Sequence, residues 1–424
     1  MNICVVGTGY VGLVTGVCFA SLGHRVTCVD VDEERVADIN QGVPPIYEEG
    51  LEDLLKEVLG KKRLTATTDL KAAVQGSEIS FICVGTPSGL LGDIDLRFIE
   101  EVGRDIGKFL TDKYHVIVMK STVVPGTTEF SLIPLLESSS EKTAGTDFGV
   151  AMNPEFLREG TAISDFLHPD RIVVGGIDER STEAVAELYS EFKAPLMQTN
   201  PRTAEMVKYA TNSFLATKIS FINEIGNISK SLGIDSYEVA RGLSLDSRVS
   251  PSFLRAGLGF GGSCFPKDVK AIVGKAKEVY YHPLVLNAAL ALNETQPLRL
   301  IKLAESKLGS LKGRDVVVLG LSFKPGTDDM REAPSIKIIS SLLKKDAKVH
   351  ATDPQAISAA REILGEKVNY YTIPEDAVKK GDVILIVTEW DEYKNEGLYR
   401  GKTVFDGRNV SEARVAKYYE GVCW

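Results

Sequence analysis

The first thirty residues contain the pattern that most restricts the fold. A β-branched run, Asn2–Val6, leads into Gly7-Thr8-Gly9-Tyr10-Val11-Gly12, an apolar helical stretch follows, and a second predicted strand, Arg25–Val29, ends at Asp30. Strand, G-x-G-x-x-G, helix, strand and acid in this order are typical of a βαβ unit that binds a dinucleotide, whereas the glycine motif alone has little specificity. The sequence therefore predicts a Rossmann-like sheet at the start of the chain.

The glycines and the acid each have a physical role in this prediction. The first glycine permits the tight turn, the second lets a pyrophosphate approach the backbone, and the third lets the helix pack against the strand. The N-terminus of the helix then faces the phosphates. Asp30 follows Gly7 by 23 residues. A carboxylate there accepts hydrogen bonds from a ribose diol and repels a 2′-phosphate, so NAD is predicted in preference to NADP.

The composition limits the other classes of partner. The 424 residues are 44% apolar and 25% charged, which is ordinary for a globular protein with two or three domains. A net charge of −9 argues against nucleic acid or an anionic membrane as a partner. Residues 3–23 carry no charge, but five glycines interrupt them, which favours a strand entering a glycine turn over a signal peptide or a membrane span.

The six cysteines are dispersed along the chain and form no C-x-x-C pair. Four of them lie in apolar strand or helix patterns, so we expect small buried side chains in a reducing, cytoplasmic compartment. The spacing of cysteine, histidine and acidic residues predicts no metal site.

The alternation of strands and helices continues, and three predicted strands end in polar residues. The strands are Glu78–Val84, His115–Met119 and Phe148–Met152, and the residues that follow them are Gly85-Thr86-Pro87, Lys120-Ser121-Thr122 and Asn153-Pro154-Glu155. Since open parallel sheets bind ligands beyond the carboxyl ends of their strands, we expect these three clusters to share one crevice. Glu155 and Glu159 would share a face if their segment is helical.

A long helix is predicted in the middle of the chain. Asn200-Pro201 is a favourable helix start, and the helical pattern continues to about Leu232, a length of ~48 Å. Lys208 and Asn212 lie one turn apart on it and so present an ammonium and an amide on one face. A second apolar helical stretch, His282–Leu308, is expected to pack against this helix. Their combined surface is the predicted homodimer interface.

The chemistry is expected in the glycine-rich stretch Gly259–Asp268. Three glycines there let the backbone approach a bulky ligand, and the thiol of Cys264 is followed by Lys267 and Asp268. A thiol becomes a nucleophile when a neighbouring cation or base favours the thiolate, and a carboxylate can orient that partner or move protons. A glycine turn beside a buried cysteine explains the same residues without catalysis, and at this point both interpretations stay open.

The last third of the chain resembles a degenerate repeat of the α/β unit in the first part. Its predicted strands are Asp315–Leu319, Lys348–Ala351, Val383–Val387 and Thr403–Phe405. The loop 320–326 lacks the dinucleotide spacing, but Lys324, Arg331 and Arg408 follow strand ends, where their charges suit a diphosphate. We therefore predict an α/β protein of two Rossmann-like, doubly wound domains joined by a long central helix and a helical dimerisation region. The predicted divisions are 1–199, 200–309 and 310–424.

Eight motifs in order identify a family. They are VGTGYVGLVTG, VGTP, KST, NPEFLREG, MVKYATNSFLATKISFINE, GFGGSCFPKD, GLSFKPGTDDMRE and FDGRN. With these motifs the chain resembles the UDP-glucose/GDP-mannose dehydrogenase family over nearly its whole length. The resemblance implies that the C6 alcohol of a nucleotide sugar, with UDP-glucose as the expected substrate, is oxidised to the carboxylate by two NAD and one water.

The resemblance also implies how a cysteine would take part. The Cys264 thiolate would add to the aldehyde, and the resulting thiohemiacetal would release the second hydride and leave a thioester. Lys208 and Asn212 would stabilise the C6 oxyanion. For the hydrolysis of the thioester, Asp268 would hold a water or act as a base, Glu155 would serve the hydrolytic water, and Thr122 would position that water.

The same resemblance, with the motifs above, supplies the expected binding residues. Those for NAD are Gly7, Gly9, Tyr10, Val11, Gly12, Asp30, Arg35, Val84, Gly85, Thr86, Pro87, Thr122, Glu155 and Arg331. Those for the UDP-sugar are Phe156, Leu157, Arg158, Glu159, Lys208, Asn212, Arg248, Phe253, Arg255, Gly261, Phe323, Lys324 and Arg408. Arg248 matches a position that in the family can reach a neighbouring subunit's site.

Several alternatives remain open from the sequence. Within the family, GDP-mannose is the main competing substrate, and a UDP-N-acetylmannosamine enzyme fits the Phe-Leu-Arg-Glu and Ser-Cys residues less well. A single-step alcohol dehydrogenase, in which Cys264 only packs, would release one NADH per sugar. A nucleotide-sugar sensor would bind both ligands and consume neither.

Overall fold

The computed structural model describes residues 1–89 and 94–424. These residues divide into two compact units, Met1–Thr211 and Asn212–Trp424. The predicted three-part division at 199/200 and 309/310 stays a prediction. Among the described residues, no helix combines the length and the hydrophobicity that crossing a membrane requires.

The first unit has, in the described part of the chain, one sheet of eight strands. They are β1 Asn2–Val6, β2 Arg25–Val29, β3 Leu64–Thr67, β4 Ile79–Ile82, β5 Val116–Met119, β6 Gly149–Met152, β7 Ile172–Gly176 and β8 Leu196–Thr199. The helices are α1 Tyr10–Ser21, α2 Glu33–Asn40, α3 Leu51–Gly60, α4 Leu70–Gln75, α5 Arg97–Phe109, α6 Ile133–Ser140, α7 Ala162–Leu167 and α8 Glu179–Glu187, with a π-helical turn at Thr128–Leu132.

The strand order is β3-β2-β1-β4-β5-β6-β7-β8, and neighbouring strands are parallel except for β6 and β7. The order reverses between β1 and β4, which is the point where such sheets bind ligands at their carboxyl edge. Alternate residues of β1 point to opposite faces of the sheet, Ile3 and Val5 into one apolar core and Cys4 and Val6 into the other. Both faces are therefore covered by helices, as expected for a parallel sheet.

The helix α9, Pro201–Leu232, matches its predicted bounds. The Asn200 side chain accepts a hydrogen bond from the Thr203 amide at 2.9 Å, and Gly233 follows the helix with a φ of +72°. The Asn200 contact is the N-cap that the sequence predicts, and a left-handed glycine is common directly after the last turn of a helix. The boundary between the two units falls inside this helix, between Thr211 and Asn212.

The second unit has a sheet in the order β11-β10-β9-β12-β13-β14, with all neighbours parallel. Its strands are β9 Asp315–Leu319, β10 Lys348–Thr352, β11 Val368–Tyr371, β12 Val383–Ile386, β13 Thr403–Asp406 and β14 Tyr418–Gly421. Its helices are α10 Ser236–Ser244, α11 Phe265–Glu278, α12 Leu284–Thr295, α13 Leu298–Leu308, α14 Pro334–Lys344, α15 Ile357–Leu364 and α16 Pro374–Val378. The predicted helical stretch 282–308 thus divides at Gln296-Pro297.

The second sheet repeats the first in detail, which confirms the predicted pair of doubly wound domains. Gly7 and Gly320 follow the first strands of their sheets with φ values of +96° and +97°. Each donates its amide hydrogen to a residue of the neighbouring strand, Gly7 to Val29 and Gly320 to Thr352. The two glycine turns therefore have one geometry, although only the first carries the dinucleotide spacing.

Candidate active site

The glycine loop of the first unit has the shape that a pyrophosphate requires. A Cβ on Gly12 would lie 1.9 Å from the Gly7 carbonyl oxygen, so only glycine lets α1 begin this close to β1. A Cβ on Gly9 would meet nothing within 4 Å, which leaves open space above the turn. The first turn of α1, with Tyr10 and Val11, contains no acidic residue that would repel a phosphate. These residues fit the diphosphate of NAD.

Asp30 is fixed at the end of β2 by the same loop. Its carboxylate accepts hydrogen bonds from the Thr8 amide at 2.9 Å and from the Thr8 hydroxyl at 2.5 Å, and Arg35 lies 4.0 Å away. Burial opposes the charge, but the hydrogen bonds from Thr8 and Asp32, with Arg35, outweigh it and lower the pKa of Asp30. The acid is therefore ionised and oriented where a ribose diol is expected.

The three polar clusters after β4, β5 and β6 do converge at one edge of the sheet. The Ser121 hydroxyl donates to the Val84 carbonyl at 2.7 Å and so connects the second cluster to the residue directly before the first. The Lys120 ammonium donates to the Asn153 side-chain oxygen at 2.9 Å and joins the second to the third. Gly85 and Pro87 are exposed, while Thr86 and Thr122 are half-buried.

Lys120 was predicted only as a member of its polar cluster, without a role of its own. It is 3% exposed, and burial lowers its pKa to about 8, which the nearby Cys83 and Glu155 only partly oppose. Its partner Asn153 also accepts a hydrogen bond from the Tyr189 hydroxyl at 2.7 Å. A lysine directly after a fully buried strand was the available signal, because such a side chain starts inside the core.

Glu155 and Lys208 form a buried ion pair. The Lys208 Nζ lies 2.7 Å from the Glu155 Oε1, and the side chains are 4% and 6% exposed. The other Glu155 oxygen accepts the Leu157 amide at 2.6 Å. Lys208 also lies 5.5 Å from the centre of the Phe156 ring, over which Arg171 stacks at 3.8 Å. An acid and an ammonium are thus held in contact away from water, which is an arrangement suited to moving a proton.

The segment that carries Glu155 is not helical, so the condition under which Glu155 and Glu159 would share a helix face is not met. Pro154 has no amide hydrogen to give to a helix, and the side chains of Asn153 and Glu155 bond to backbone groups instead. Arg158 is exposed and pairs with Asp165 through its Nε and a second nitrogen. Leu157 packs against the core of the first unit.

Glu205, on α9, anchors the loop that follows Thr122. Its side chain is fully buried and accepts hydrogen bonds from the Gly126 amide at 2.5 Å, the Thr128 amide at 2.9 Å and the Thr128 hydroxyl at 2.6 Å. Burial raises the pKa of Glu205 despite these bonds. The acid therefore ties the Thr122 loop to the helix that also carries Lys208.

In the second unit, Cys264 immediately precedes α11. It is half-buried, its sulfur lies 3.4 Å from the Ser263 hydroxyl oxygen, and its carbonyl accepts the Asp268 amide at 2.8 Å. The positive end of a helix favours a thiolate. Gly262 before it has a φ of +83°, and a Cβ there would meet the Phe323 ring at 2.8 Å.

Asp268 links the cysteine helix to α9. It is 1% exposed, and its two oxygens accept hydrogen bonds from the Asn212 amide group at 2.7 Å and from the Lys267 ammonium at 2.7 Å. Asn212 and Asp268, both predicted catalytic residues, are therefore in direct contact. Lys267, which is not among the predicted catalytic residues, is the third member of this group.

The cations and aromatic residues predicted to hold the sugar nucleotide are only partly brought together. Gly261 lies against Phe323, and the Gly262 amide donates to the Arg331 carbonyl at 2.8 Å. Arg408 donates from Nε to the Val387 carbonyl at 2.7 Å and reaches the Phe323 carbonyl at 3.3 Å. Arg331 itself is exposed and donates two hydrogen bonds to the Asp329 carboxylate. The Lys324 Nζ lies 5.6 Å from the Phe323 ring centre.

Three other predicted sugar-binding residues are placed differently. Arg248 is 86% exposed and forms an ion pair with Asp246, so it lies at the surface of its own chain. Phe253 has a φ of +66°, which is strained for a side chain of that size, and its ring lies 6.1 Å from the Phe265 ring. Arg255 is exposed.

Metal ligands are not gathered anywhere in residues 1–89 and 94–424, where no three His, Cys, Asp or Glu side chains cluster. The strand order, the glycine turn and the ionised acid place the chain among the NAD-dependent dehydrogenases. It belongs to the UDP-glucose/GDP-mannose dehydrogenase family. The NAD binding domain of that family matches residues 1–193, its central domain residues 202–295 and its UDP binding domain residues 317–413. The cofactor is NAD.

Similar proteins cover the whole chain. UDP-glucose 6-dehydrogenase TuaD of Bacillus subtilis is 45% identical over 98% of this chain and 92% of its own length. UDP-glucose 6-dehydrogenase AglM of Haloferax volcanii is 42% identical over 100% of both chains. The solved structure of a UDP-glucose dehydrogenase from Pyrobaculum islandicum is 44% identical, with a TM-score of 0.96 over 100% of this chain and 98% of that one.

Proposed function

We propose that this chain oxidises UDP-glucose to UDP-glucuronate with two NAD and one water, through a covalent bond to Cys264. The observation that carries the proposal is the position of Cys264 at the N-terminus of α11, one turn before the buried Asp268 that Asn212 contacts. A cysteine that only filled space would need neither a helix dipole nor a paired acid beside it.

The stoichiometry follows from the chemistry. A primary alcohol becomes a carboxylate by losing two hydrides, and bound NAD supplies the acceptor for each. An aldehyde cannot release its hydride until a nucleophile adds. The Cys264 sulfur forms a bond to C6, the thiohemiacetal carbon gives up hydride to become a thioester, and water then cleaves the carbon–sulfur bond. The products are the carboxylate and the regenerated thiol.

The charged residues have matching roles in the proposal. Lys208 and Asn212 stabilise the oxyanion that forms when sulfur adds to the aldehyde. Glu155, in contact with Lys208, receives a proton from the hydrolytic water that Thr122 positions. Asp268, held between Asn212 and Lys267, keeps a water or accepts a proton near the sulfur. The remaining predicted NAD and UDP-sugar contacts belong to the same proposal.

We propose UDP-glucose and not GDP-mannose as the substrate. The two relatives described above, at 42% and 45% identity, are both UDP-glucose 6-dehydrogenases. The division into domains 1–199, 200–309 and 310–424 is part of the proposal. A cytoplasmic location is supported by six free cysteines, five of which are buried.

A homodimer through α9 is also part of the proposal. Phe214, Phe221 and Ile228 follow one another at seven-residue intervals on that helix and are 64%, 49% and 52% exposed. Such a spacing gives one apolar stripe, which is the pattern of a helix that packs against another. Leu284 and Val285 of the second unit are 71% and 64% exposed. A second copy, related by a two-fold axis, would bury such a surface against itself.

Product analysis tests the reaction. The chain is incubated with NAD and a panel of UDP- and GDP-sugars, and NADH yield and product mass are followed. Two NADH per UDP-glucose, with UDP-glucuronate as product, are expected. One NADH per sugar would point to a single-step alcohol dehydrogenase, binding without NADH would point to a sensor, and preference for GDP-mannose would identify the other substrate.

Light scattering tests the dimer. Phe221→Glu is expected to give a monomer, because it puts a charge in the centre of the stripe, whereas Ile363→Glu, at an exposed apolar site on α15, should leave the mass unchanged. A monomeric unaltered chain would contradict the dimer.

A further inference from the structure

Glu48 is a buried acid of the first unit that the proposed reaction does not use. It is 6% exposed and lies three residues before α3, in a stretch without a recognised motif. Leu51, Leu55 and Val58 of α3 are fully buried in the core against α1, so the backbone that carries Glu48 is firmly held. A buried carboxylate requires strong compensation, and its partners therefore indicate its role.

Both oxygens of Glu48 accept hydrogen bonds from the end of the loop that carries Glu155 and Glu159. The Gly160 amide donates to Oε2 at 2.7 Å, and the Ala162 amide donates to Oε1 at 2.7 Å. Gly160 is the last residue of the NPEFLREG motif, from which several of the proposed sugar-binding residues come, and Ala162 lies two residues beyond it. Glu48 thus fixes the far end of the sugar-binding loop.

The same carboxylate also holds the cofactor loop. The hydroxyl of Tyr10, the fourth residue of the glycine motif, donates to Glu48 Oε2 and accepts the Gly160 amide at 3.0 Å. Burial, followed by the neighbouring Glu48, raises the pKa of Tyr10, so the phenol keeps its proton and remains a donor. One acid therefore connects two loops that are far apart in sequence.

We infer that Glu48 is a positioning residue that sets the distance between the nicotinamide site and the sugar site by fastening the loop 153–160 to the glycine loop at Tyr10. The inference rests on the proposed function, because that function assigns these two loops to the two reactants. Hydride transfer is sensitive to such a distance, and a misplacement of about 1 Å can cost on the order of 10²-fold in rate.

A purely structural role is the competing interpretation. Glu48 could simply satisfy the first amide of α7 and add to the stability of the first unit. In that case its loss would lower the melting temperature and leave the kinetic constants of the folded protein unchanged. The positioning role predicts instead that the kinetic constants of the folded protein change.

The test compares Glu48→Gln with Glu49→Gln, the same change at an exposed neighbour, in the full chain. A glutamine presents one oxygen where two are used and directs an amide group at a donor. We expect Glu48→Gln to lower kcat by about 10²-fold and to raise the KM for UDP-glucose, while the Kd for UDP alone stays as in the unaltered chain. Glu49→Gln should match the unaltered chain throughout.

Tyr10→Phe supplies the second measurement and serves alone if Glu48→Gln does not fold. It leaves both amides on Glu48 and removes the link to the glycine loop. We expect a lower kcat, and in the double variant no further loss beyond that of Glu48→Gln. Unchanged kcat and KM in either folded single variant, or losses that multiply in the double variant, would overturn the positioning role. If the unaltered chain oxidises no nucleotide sugar, the proposed function and this inference both fail; if it does so normally, only the inference is in question.

Discussion

The Lys208 ammonium and the Glu155 carboxylate lie 2.7 Å apart in a place where almost no water reaches either of them. Removing a charged group from water is costly, and the mutual attraction of such a pair offsets that cost only while both partners are present. The two residues therefore constrain each other in stability as well as in any reaction they serve.

Single substitutions in this pair should be more harmful to stability than the double substitution. Lys208→Met and Glu155→Gln each leave one uncompensated polar group in the interior, at an expected cost of about 3–5 kcal/mol for a bare charge. The double variant, Lys208→Met with Glu155→Gln, should recover part of that stability. All three variants should lack activity. Urea unfolding of the three variants checks this expectation. The exposed pair Lys56 and Glu52 is the control, where the same changes should have no measurable effect.

Cys264→Ala should keep the binding of NAD and UDP-glucose but yield no UDP-glucuronate, because no nucleophile remains to convert the aldehyde. Equilibrium binding and product mass spectrometry measure the two halves of this expectation. Cys18→Ala, in the buried part of α1, is the matched thiol control. Formation of the acid at the usual rate by Cys264→Ala would rule out the covalent route.

Asp30→Ala should weaken NAD and reduce the discrimination against NADP, since it removes the carboxylate that Thr8 orients toward the ribose. The kcat/KM values for the two cofactors give the comparison. Asp53→Ala, which removes an exposed acid from α3, should leave both values unchanged. Identical kinetics of Asp30→Ala and the unaltered chain with both cofactors would show that the acid is misassigned.

Lys120 should make stability depend on pH in the alkaline range. Its pKa is about 8 in the folded chain and 10.5 as a free side chain. Between these two pH values the unfolded chain therefore binds more protons than the folded chain. The stability gained while Lys120 is neutral is fully present above pH 10.5 and is lost as the pH falls through 8. The difference amounts to roughly 3 kcal/mol.

Lys120→Met removes that dependence. The difference in unfolding free energy between Lys120→Met and the unaltered chain, measured at intervals from pH 7 to 10.5, should shift in favour of the unaltered chain as the pH rises. A difference that is constant across this range would mean that the lysine titrates alike in both states.

Much of the fold follows from local patterns. The strands β1, β2, β4, β5 and β6 and the helix α9 were predicted because apolar runs, glycines and a cap coincide there. Strands β3, β7, β8, β11 and β14 were not predicted. They are four or five residues long, and all but β7 include exposed or half-buried residues. Each pairs with a neighbouring strand, and no local pattern reveals those hydrogen bonds.

The candidate site shows a similar limit. Cys264, Asp268, Asn212, Lys208 and Glu155 could be named because each lies in a recognisable motif, and their catalytic roles remain predictions. Glu48 and Glu205 were not named as site residues, since their role depends on amides 112 and 79 positions away in the chain. Contacts of that kind arise from tertiary packing and cannot be seen in the spacing of residues.

The hydrogen bonds of Asp353, the acid beside the second glycine turn, bear on the order in which cofactor molecules bind. Asp353 lies at the end of β10 as Asp30 lies at the end of β2, but it is 1% exposed. Its Oδ2 accepts hydrogen bonds from the Leu321 and Ser322 amides and the Trp390 indole, and its Oδ1 accepts them from the Gln355 and Ala356 amides. A ribose would find no free acceptor there. Under the proposed reaction, the two NAD molecules must then occupy one cofactor site in succession. NADH from the first oxidation therefore has to dissociate, and a second NAD has to bind, while the sugar intermediate stays on the enzyme.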